Sequence, residues 1–381
     1  MTKTTKDLSI LIFTSLLIAF SLWLPHILRL ENFFGLNFSE GFNTIYRNYD
    51  GLEYVIIAKS LYNPQLITHL PQSLPDIYYA AHFPLYALLI LGLSFLGMLK
   101  SMIFVTLLFT ITSATAFYFL VRDFHLSDHP LILSVIFLVL PARWLIVHSV
   151  GSSEPVFIFF VILTIYFLMK FEQVKNYSFI ILAAIFGSLA QLTRPPGVLL
   201  FIAIGLYILW KIITQKQITK IFNYIPLILM PVSLLGIFYW FKLSYNDFFA
   251  YFHTGDNIHL VFPPFQLFNK NQFWVGDIWL EDAVYIFILG FLAGFLLLKK
   301  KLFLMGSFVL TYLIASIMIA HRDVSRYILP VFPFALIAFE KVLTSKEFRI
   351  ILIIVGLGIY LYAQNFILSN TAPYPNPDIF N

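Results

Sequence analysis

Residues 82–97 read His82-Phe83-Pro84-Leu85-Tyr86-Ala87-Leu88-Leu89-Ile90-Leu91-Gly92-Leu93-Ser94-Phe95-Leu96-Gly97, and the topology of the whole chain turns on whether this stretch crosses a membrane. A spanning helix needs roughly 20 mostly apolar residues. This stretch is shorter and carries His82, Pro84 and two glycines. Eleven better candidates surround it: 8–28, 101–121, 130–149, 154–170, 177–193, 197–212, 221–243, 283–298, 302–320, 326–343 and 348–367. Suppose that 82–97 stays on one side and the N-terminus is cytoplasmic. Then Lys3/Lys6, Arg122, Lys170/Lys175, Lys211/Lys216/Lys220, Lys299–Lys301 and Lys341/Lys346/Arg349 all fall on the cytoplasmic face. These are 14 of the 24 basic residues, gathered in short loops as the positive-inside rule expects. If 82–97 crosses, the later clusters move outside. Residues 82–97 are therefore expected to form a re-entrant or interfacial helix within the first external segment, 29–100.

Composition supports the same class. The 381 residues are 60% hydrophobic and 11% charged, against about 25% charged in soluble domains, so lipid must be the solvent. With 43 Phe and 21 Tyr, an apolar body with interfacial aromatic anchors is expected. The absence of cysteine excludes disulfides and thiolate chemistry. The net charge of +5 comes from basic residues in short loops, which is not a nucleic-acid footprint. Lys3 and Lys6 before an apolar run resemble a signal peptide. The run continues to Leu28 with no small-residue cleavage site, so a retained first span is expected. No Walker A loop, no G-x-G-x-x-G after a strand and no zinc motif is present, which argues against an ATP-driven pump. The expected architecture is one all-α polytopic integral membrane domain over 1–381, with about 11 transmembrane helices. Two long external segments, 29–100 and 244–282, interrupt it, and the tail 369–381 is expected to be loose.

The chemistry-bearing residues gather on the external side. In Asn48-Tyr49-Asp50-Gly51-Leu52-Glu53-Tyr54, a helical reading puts Tyr46, Asp50, Glu53, Tyr54 and Ile57 on one face. A partly desolvated carboxylate flanked by tyrosines can take a proton from an alcohol. The plainer reading is a loop acid capping a helix. Gly151-Ser152-Ser153-Glu154-Pro155 puts Glu154 near a helix N-terminus, where its charge is favoured anyway. Its functional reading is a second acid facing Asp50, orienting the acceptor or sharing a divalent metal such as Mg or Mn. Two acids alone do not establish a metal site.

Arginines add the opposite charge. Twelve of 16 lysines fall inside, whereas six of eight arginines, Arg29, Arg47, Arg143, Arg194, Arg322 and Arg326, fall outside. Arginine suits bidentate phosphate recognition. For Arg29, Arg47 and Arg143, capping or snorkelling is an equal alternative. In Arg194-Pro195-Pro196-Gly197, an arginine at membrane depth needs a partner, and a phosphate is the natural one. In His321-Arg322-Asp323-Val324-Ser325-Arg326-Tyr327, Arg322 and Arg326 point the same way if the segment is helical. Arg322 could instead pair with Asp323, and Arg326-Tyr327 is the better phosphate candidate. His82, His253 and His259 read as structural or hydrogen-bonding residues rather than metal ligands.

Four of these stretches resemble the class C (GT-C) glycosyltransferases, polytopic enzymes that use polyprenyl- or dolichyl-phosphate sugars. The likeness is greatest to the family that adds the second mannose in GPI-anchor synthesis, with its prokaryotic relatives. Tyr49-Asp50-Gly51 with Tyr54, Ile57-Ala58 and Leu61-Tyr62 resembles that family's aromatic-Asp-Gly helix. His82-Phe83-Pro84-Leu85-Tyr86 resembles its Phe-Pro-x-Tyr segment, Ser153-Glu154 with Phe157 its Thr/Ser-Glu-x-x-Phe element, and Ser325-Arg326-Tyr327 with Pro330 its Ser-Arg-Tyr-x-x-Pro entry. The resemblance implies that Asp50 is the general base of a single inverting displacement. It implies that Glu154 shapes the acceptor or metal environment, and that Arg194, Arg326 and Tyr327 hold the lipid phosphate. Glu53, Tyr54, His82 and Arg322 complete the expected substrate-binding set. Glu53 departs from the family pattern, which leaves its division of labour with Asp50 open. The implied partners are a polyprenyl-phosphate sugar donor, a lipid-linked or glycan acceptor, and membrane lipids. Lysine-rich short loops point to a prokaryotic plasma membrane. The alternatives are a lipid-linked-sugar transporter or flippase, which calls for two similar halves and broken helices, and an oligosaccharide polymerase or ligase run by arginines.

Overall fold

A computed structural model describes residues 2–72, 74–216, 218–254, 260–275, 280–372 and 377. Among the described residues there is no strand, and only isolated bridges such as Asn48–Thr371 and Leu260–Ile319 interrupt the helical pattern. Among these described residues, seven helices are long and apolar enough to cross a membrane: Lys3–Ile27, Met98–Asp123, Glu154–Val174, Gly197–Gln215, Ile221–Tyr245, Glu281–Lys299 and Lys346–Ser369.

At the other four expected spans the apolar helices are shorter. Tyr177–Thr193 and Phe303–Ser316 have 17 and 14 residues. The 130–149 stretch is broken. Its first helix, Pro130–Val139, has 10 residues, or about 15 Å at 1.5 Å per residue, half of a ~30 Å hydrocarbon core. Leu140 turns extended before Pro141, as a residue preceding proline tends to do, and the chain resumes at Ala142–Val147. The 326–343 stretch is a series of short pieces, Val324–Tyr327, Leu329–Val331, Phe332–Ala338 and Glu340–Leu343. Pro330 and Pro333 remove amide donors within it.

The pivotal stretch 82–97 holds a nine-residue helix, Pro84–Gly92. At about 13 Å it cannot cross a bilayer by itself. Pro84 opens it, a position where the missing amide costs nothing. A 3-10 turn, Ser94–Leu96, and Gly97 at φ 90° then lead into Met98–Asp123.

Small residues let the inner helices approach. Ala183, Ala184, Gly187, Ser188 and Ala190 line the buried face of Tyr177–Thr193. The outer helices show large apolar side chains to their surroundings, as Ile350, Ile351, Ile353 and Ile354 do on the last helix.

Two contacts shape the functional end. A Cβ on Gly51 would lie 3.1 Å from the Gly151 carbonyl oxygen. One on Gly151 would lie 2.7 and 2.9 Å from Met102 Cε and Cγ. Glycine at both positions lets the start of helix Gly51–Ser60 close on the 151–154 turn. The second long segment lies along 317–319, where the Val261 and Phe265 amides donate to the carbonyls of Met318 (2.8 Å) and Ile317 (2.7 Å). The tail is not loose at its start. Thr371 bridges to Asn48, and the Ala372 amide donates to the Arg47 carbonyl at 2.7 Å. The rest of the tail, except Pro377, and His259 lie outside the described residues.

Candidate active site

Asp50 ends a link between two helices, not the middle of one. Helix Asn43–Tyr46 stops, Tyr49 takes a left-handed φ of 47°, and helix Gly51–Ser60 begins after Asp50. Tyr46 therefore does not share one helical face with Asp50, Glu53, Tyr54 and Ile57. The Asp50 side chain does not cap its own helix either. Its Oδ2 accepts a 2.8 Å hydrogen bond from Arg326 Nη2.

Arg326 bridges two acids. Its Nε donates to Glu154 Oε1 at 2.6 Å while Nη2 serves Asp50. Arg194 forms an ion pair with the same Glu154 oxygen, and the Ser152 hydroxyl donates to the other. Two carboxylates and two guanidiniums thus balance in one cluster drawn from four separate segments. Side-chain exposure separates their roles: 1% for Glu154, 5% for Arg326 and 35% for Asp50. Of the two acids, Asp50 is the exposed one. Glu154 is not an open second acid facing it. It lies behind Arg326 with both oxygens engaged, and it is the partner that Arg194 finds inside the protein.

The surroundings tune Asp50. Burial is the largest influence and pushes its carboxyl up, but the Arg326 guanidinium, with a smaller pull from His82, brings it below the usual carboxylate range. His82 Nε2 lies 4.0 Å from Asp50 Oδ2, and burial lowers the imidazole pKa, so the ring is neutral at pH 7. Tyr62 fixes His82 by donating to its carbonyl at 2.6 Å. The Tyr54 ring meets His82 edge-on at 5.1 Å. Its hydroxyl donates to Ser153 Oγ at 2.9 Å, and burial pushes its pKa up to about 12. The Tyr86 hydroxyl accepts from the Ser152 amide at 3.0 Å, so the short Pro84–Gly92 helix steadies the turn that carries Glu154.

The remaining candidates lie at different distances from this centre. Glu53 is buried in the first turn of its helix. Tyr327 packs against His321 with ring centroids 5.4 Å apart, and His321 lies 6.1 Å from Trp274 of the second long segment. Arg322 precedes the Val324–Tyr327 helix and does not share its face. It is exposed, with its guanidinium 5.6 Å from the Phe273 ring. Asp323 pairs with Arg143 at 3.3 Å rather than with Arg322. Arg47 pairs with Glu40, and His253 with Asp247 at 2.6 Å. Arg143, Tyr49 and Asp323 border the centre, although the sequence reading gave none of them a site role.

The donor set does not fit a divalent metal. Among the described residues, no three His, Cys, Asp or Glu side chains converge as a metal-holding group. Between Asp50 and Glu154, the two acids that could share an ion, stands the Arg326 guanidinium.

No protein-family model matches this chain, and no curated protein matches its sequence. A solved structure does match in fold: ArnT from Cupriavidus metallidurans, determined bound to undecaprenyl phosphate. The TM-score is 0.59 at 11% identity, and the match covers 96% of this chain and 66% of ArnT. The chain therefore spans about two thirds of ArnT's length. It is a multi-pass integral membrane protein, helical in its described residues, and it shares the fold of ArnT.

Proposed function

We propose that this protein is an integral-membrane glycosyltransferase. It moves a sugar, mannose by the motif resemblance, from a polyprenyl-phosphate donor to a hydroxyl of a lipid-linked or glycan acceptor. Asp50 takes the acceptor proton as the oxygen attacks the anomeric carbon. The bond from that carbon to the phosphate oxygen breaks, its electrons go to the phosphate, and the anomeric configuration inverts. Arg326, flanked by Arg194, stabilises the charge growing on the departing phosphate. Glu154 acts behind them as a positioning residue that keeps both guanidiniums in place. The reaction sits on the external face of a prokaryotic plasma membrane, where the positive-inside count puts these loops.

The observation that carries this reading is the single hydrogen bond between Arg326 and Asp50. It sets an accessible carboxylate beside a guanidinium of the kind that suits phosphate, in a fold shared with ArnT. A phosphate that draws on Arg326 would loosen its hold on Asp50 and raise the basicity of the carboxylate as the donor binds. The test is release of polyprenyl phosphate from polyprenyl-phosphate mannose by the purified protein in liposomes, with a membrane lipid extract as acceptor. Release with transfer of label and inversion at the anomeric carbon is expected. Binding and transbilayer movement of the donor without release would favour the flippase alternative.

A further inference from the structure

Arg143 lies outside the four-residue cluster but is tied to it from several directions. Its Nη1 donates to the Tyr49 hydroxyl at 3.1 Å, its Nε donates to Ser325 Oγ at 3.2 Å, and its Nη2 lies 3.3 Å from Asp323 Oδ1. The guanidinium also lies 4.0 Å from the centre of the Phe366 ring, which packs against Tyr49 at 5.7 Å. The Tyr49 ring in turn carries the Arg326 guanidinium, 4.0 Å from its centroid. Asp323 accepts the Arg326 backbone amide at 2.9 Å. Arg143 therefore grips the residue before Asp50 and, separately, the turn that carries Arg326.

A snorkelling arginine would keep its head in water. This side chain is only 14% exposed and spends its donors on three protein groups. Burying a guanidinium is costly unless its donors are matched. A lysine could not match them, since a single ammonium cannot span three acceptors in a plane.

We propose that Arg143 is a positioning residue for the transfer reaction, which holds the Tyr49 ring and the 323–325 turn so that the Arg326 guanidinium meets Asp50 and Glu154 at once. This rests on the site reading proposed above. The geometry demands such support because Arg326 must present Nη2 and Nε to two different carboxylates in one orientation. Stacking on Tyr49 fixes the plane of the guanidinium, and Arg143 fixes Tyr49. Misplacing a reacting group by about 1 Å can cost on the order of a hundredfold in rate.

The test uses the full chain in lipid nanodiscs as wild type, Arg143→Gln, Arg143→Lys and Tyr49→Phe. One readout is the titration of the Asp50 carboxyl carbon by NMR, assigned by its loss in Asp50→Asn. Tyr54 of the same helix and Arg326, His82, Glu154, Tyr327 and His321 of neighbouring segments all act on Asp50. Of these, the substitutions disturb chiefly Arg326. The other readout is donor turnover against pH. Arg143→Gln should move the Asp50 titration up by about one pH unit or more as Arg326 loosens. It should lower kcat by about 10- to 100-fold and change the donor KM by less than about threefold. Arg143→Lys should not rescue it. Tyr49→Phe, which keeps the ring and loses one hydroxyl, should shift Asp50 in the same direction by a smaller amount. An unmoved Asp50 titration in folded Arg143→Gln overturns the proposal, as does a fall in kcat without that shift. If Arg143→Gln does not fold, Tyr49→Phe decides, and no shift there overturns it. If wild type turns over no donor, the transferase reading fails while the titration still decides the role of Arg143.

Discussion

Replacing Glu154 by glutamine keeps its shape and removes one charge from a buried cluster. Glu154 is 1% exposed, its Oε1 lies 2.6 Å from Arg326 Nε, and Arg194 pairs with the same oxygen. At an effective dielectric of about 20, a charge pair about 4 Å apart is worth about 4 kcal/mol. Two guanidiniums thus give a gross attraction of about 8 kcal/mol, against several kcal/mol of carboxylate desolvation that the substitution relieves. The net loss for breaking a buried pair is about 3–5 kcal/mol. The cluster of Asp50, Glu154, Arg194 and Arg326 would go from neutral to one excess positive charge. Thermal unfolding followed by tryptophan fluorescence in detergent should show a melting temperature lower by about 5 °C or more. Glu154→Gln with Arg194→Gln restores neutrality, so the double variant should be more stable than the sum of the single changes by about 1.5 kcal/mol or more. A Glu154→Gln protein within about 0.5 kcal/mol of wild type, or strictly additive single changes, would refute the reasoning that this acid neutralises two buried arginines.

Gly151→Ala should destabilise the protein by about 1–3 kcal/mol, because its new methyl meets the fully buried Met102 side chain; Met102→Ala in the same chain should recover part of the loss in the same melting assay. Arg326→Ala should weaken binding of polyprenyl phosphate far more than Arg349→Ala does, and equal effects in a lipid-binding assay would remove Arg326 as the phosphate ligand. Single cysteines at Lys100 and Arg122 should separate by side, with position 100 labelled by an impermeant thiol reagent from outside and position 122 not; the reverse pattern would invert the topology.

The grouping of Asp50, Glu154, Arg194 and Arg326 was legible because each sits in a short polar motif on the expected external side, Asp50 within the first long segment and the other three at the ends of apolar runs. A common side of the membrane then brings such ends together. What the spacing could not show is which acid is open. Glu154 reads as a second external acid facing Asp50, yet only the packing of the 151–154 turn under Tyr86 and Met102 puts it behind Arg326. Helical periodicity failed at two places for the same local reason. It joined Tyr46 to Ile57 across a left-handed Tyr49, and it joined Arg322 to Arg326 across the start of a four-residue helix. Hydropathy also counted 130–149 and 326–343 as continuous spans, because an average over apolar residues is blind to Pro141, Pro330 and Pro333 breaking the backbone. Phe366 gave no signal at all, since one more aromatic in an apolar helix has nothing to mark it. Arg143 carried only its external position, which a snorkelling residue would share.

The most direct test of the transferase reading compares sugar transfer from polyprenyl-phosphate mannose by wild type and Asp50→Asn, with Glu53→Gln alongside and melting temperatures recorded for all three. Asparagine keeps the shape of the side chain and removes the base. Wild type and Glu53→Gln should transfer mannose, whereas Asp50→Asn should remain folded and lose about 10²- to 10⁴-fold in kcat, the usual contribution of a general base. An Asp50→Asn protein within about twofold of wild type, or a loss confined to Glu53→Gln, would contradict the placement of the base at Asp50.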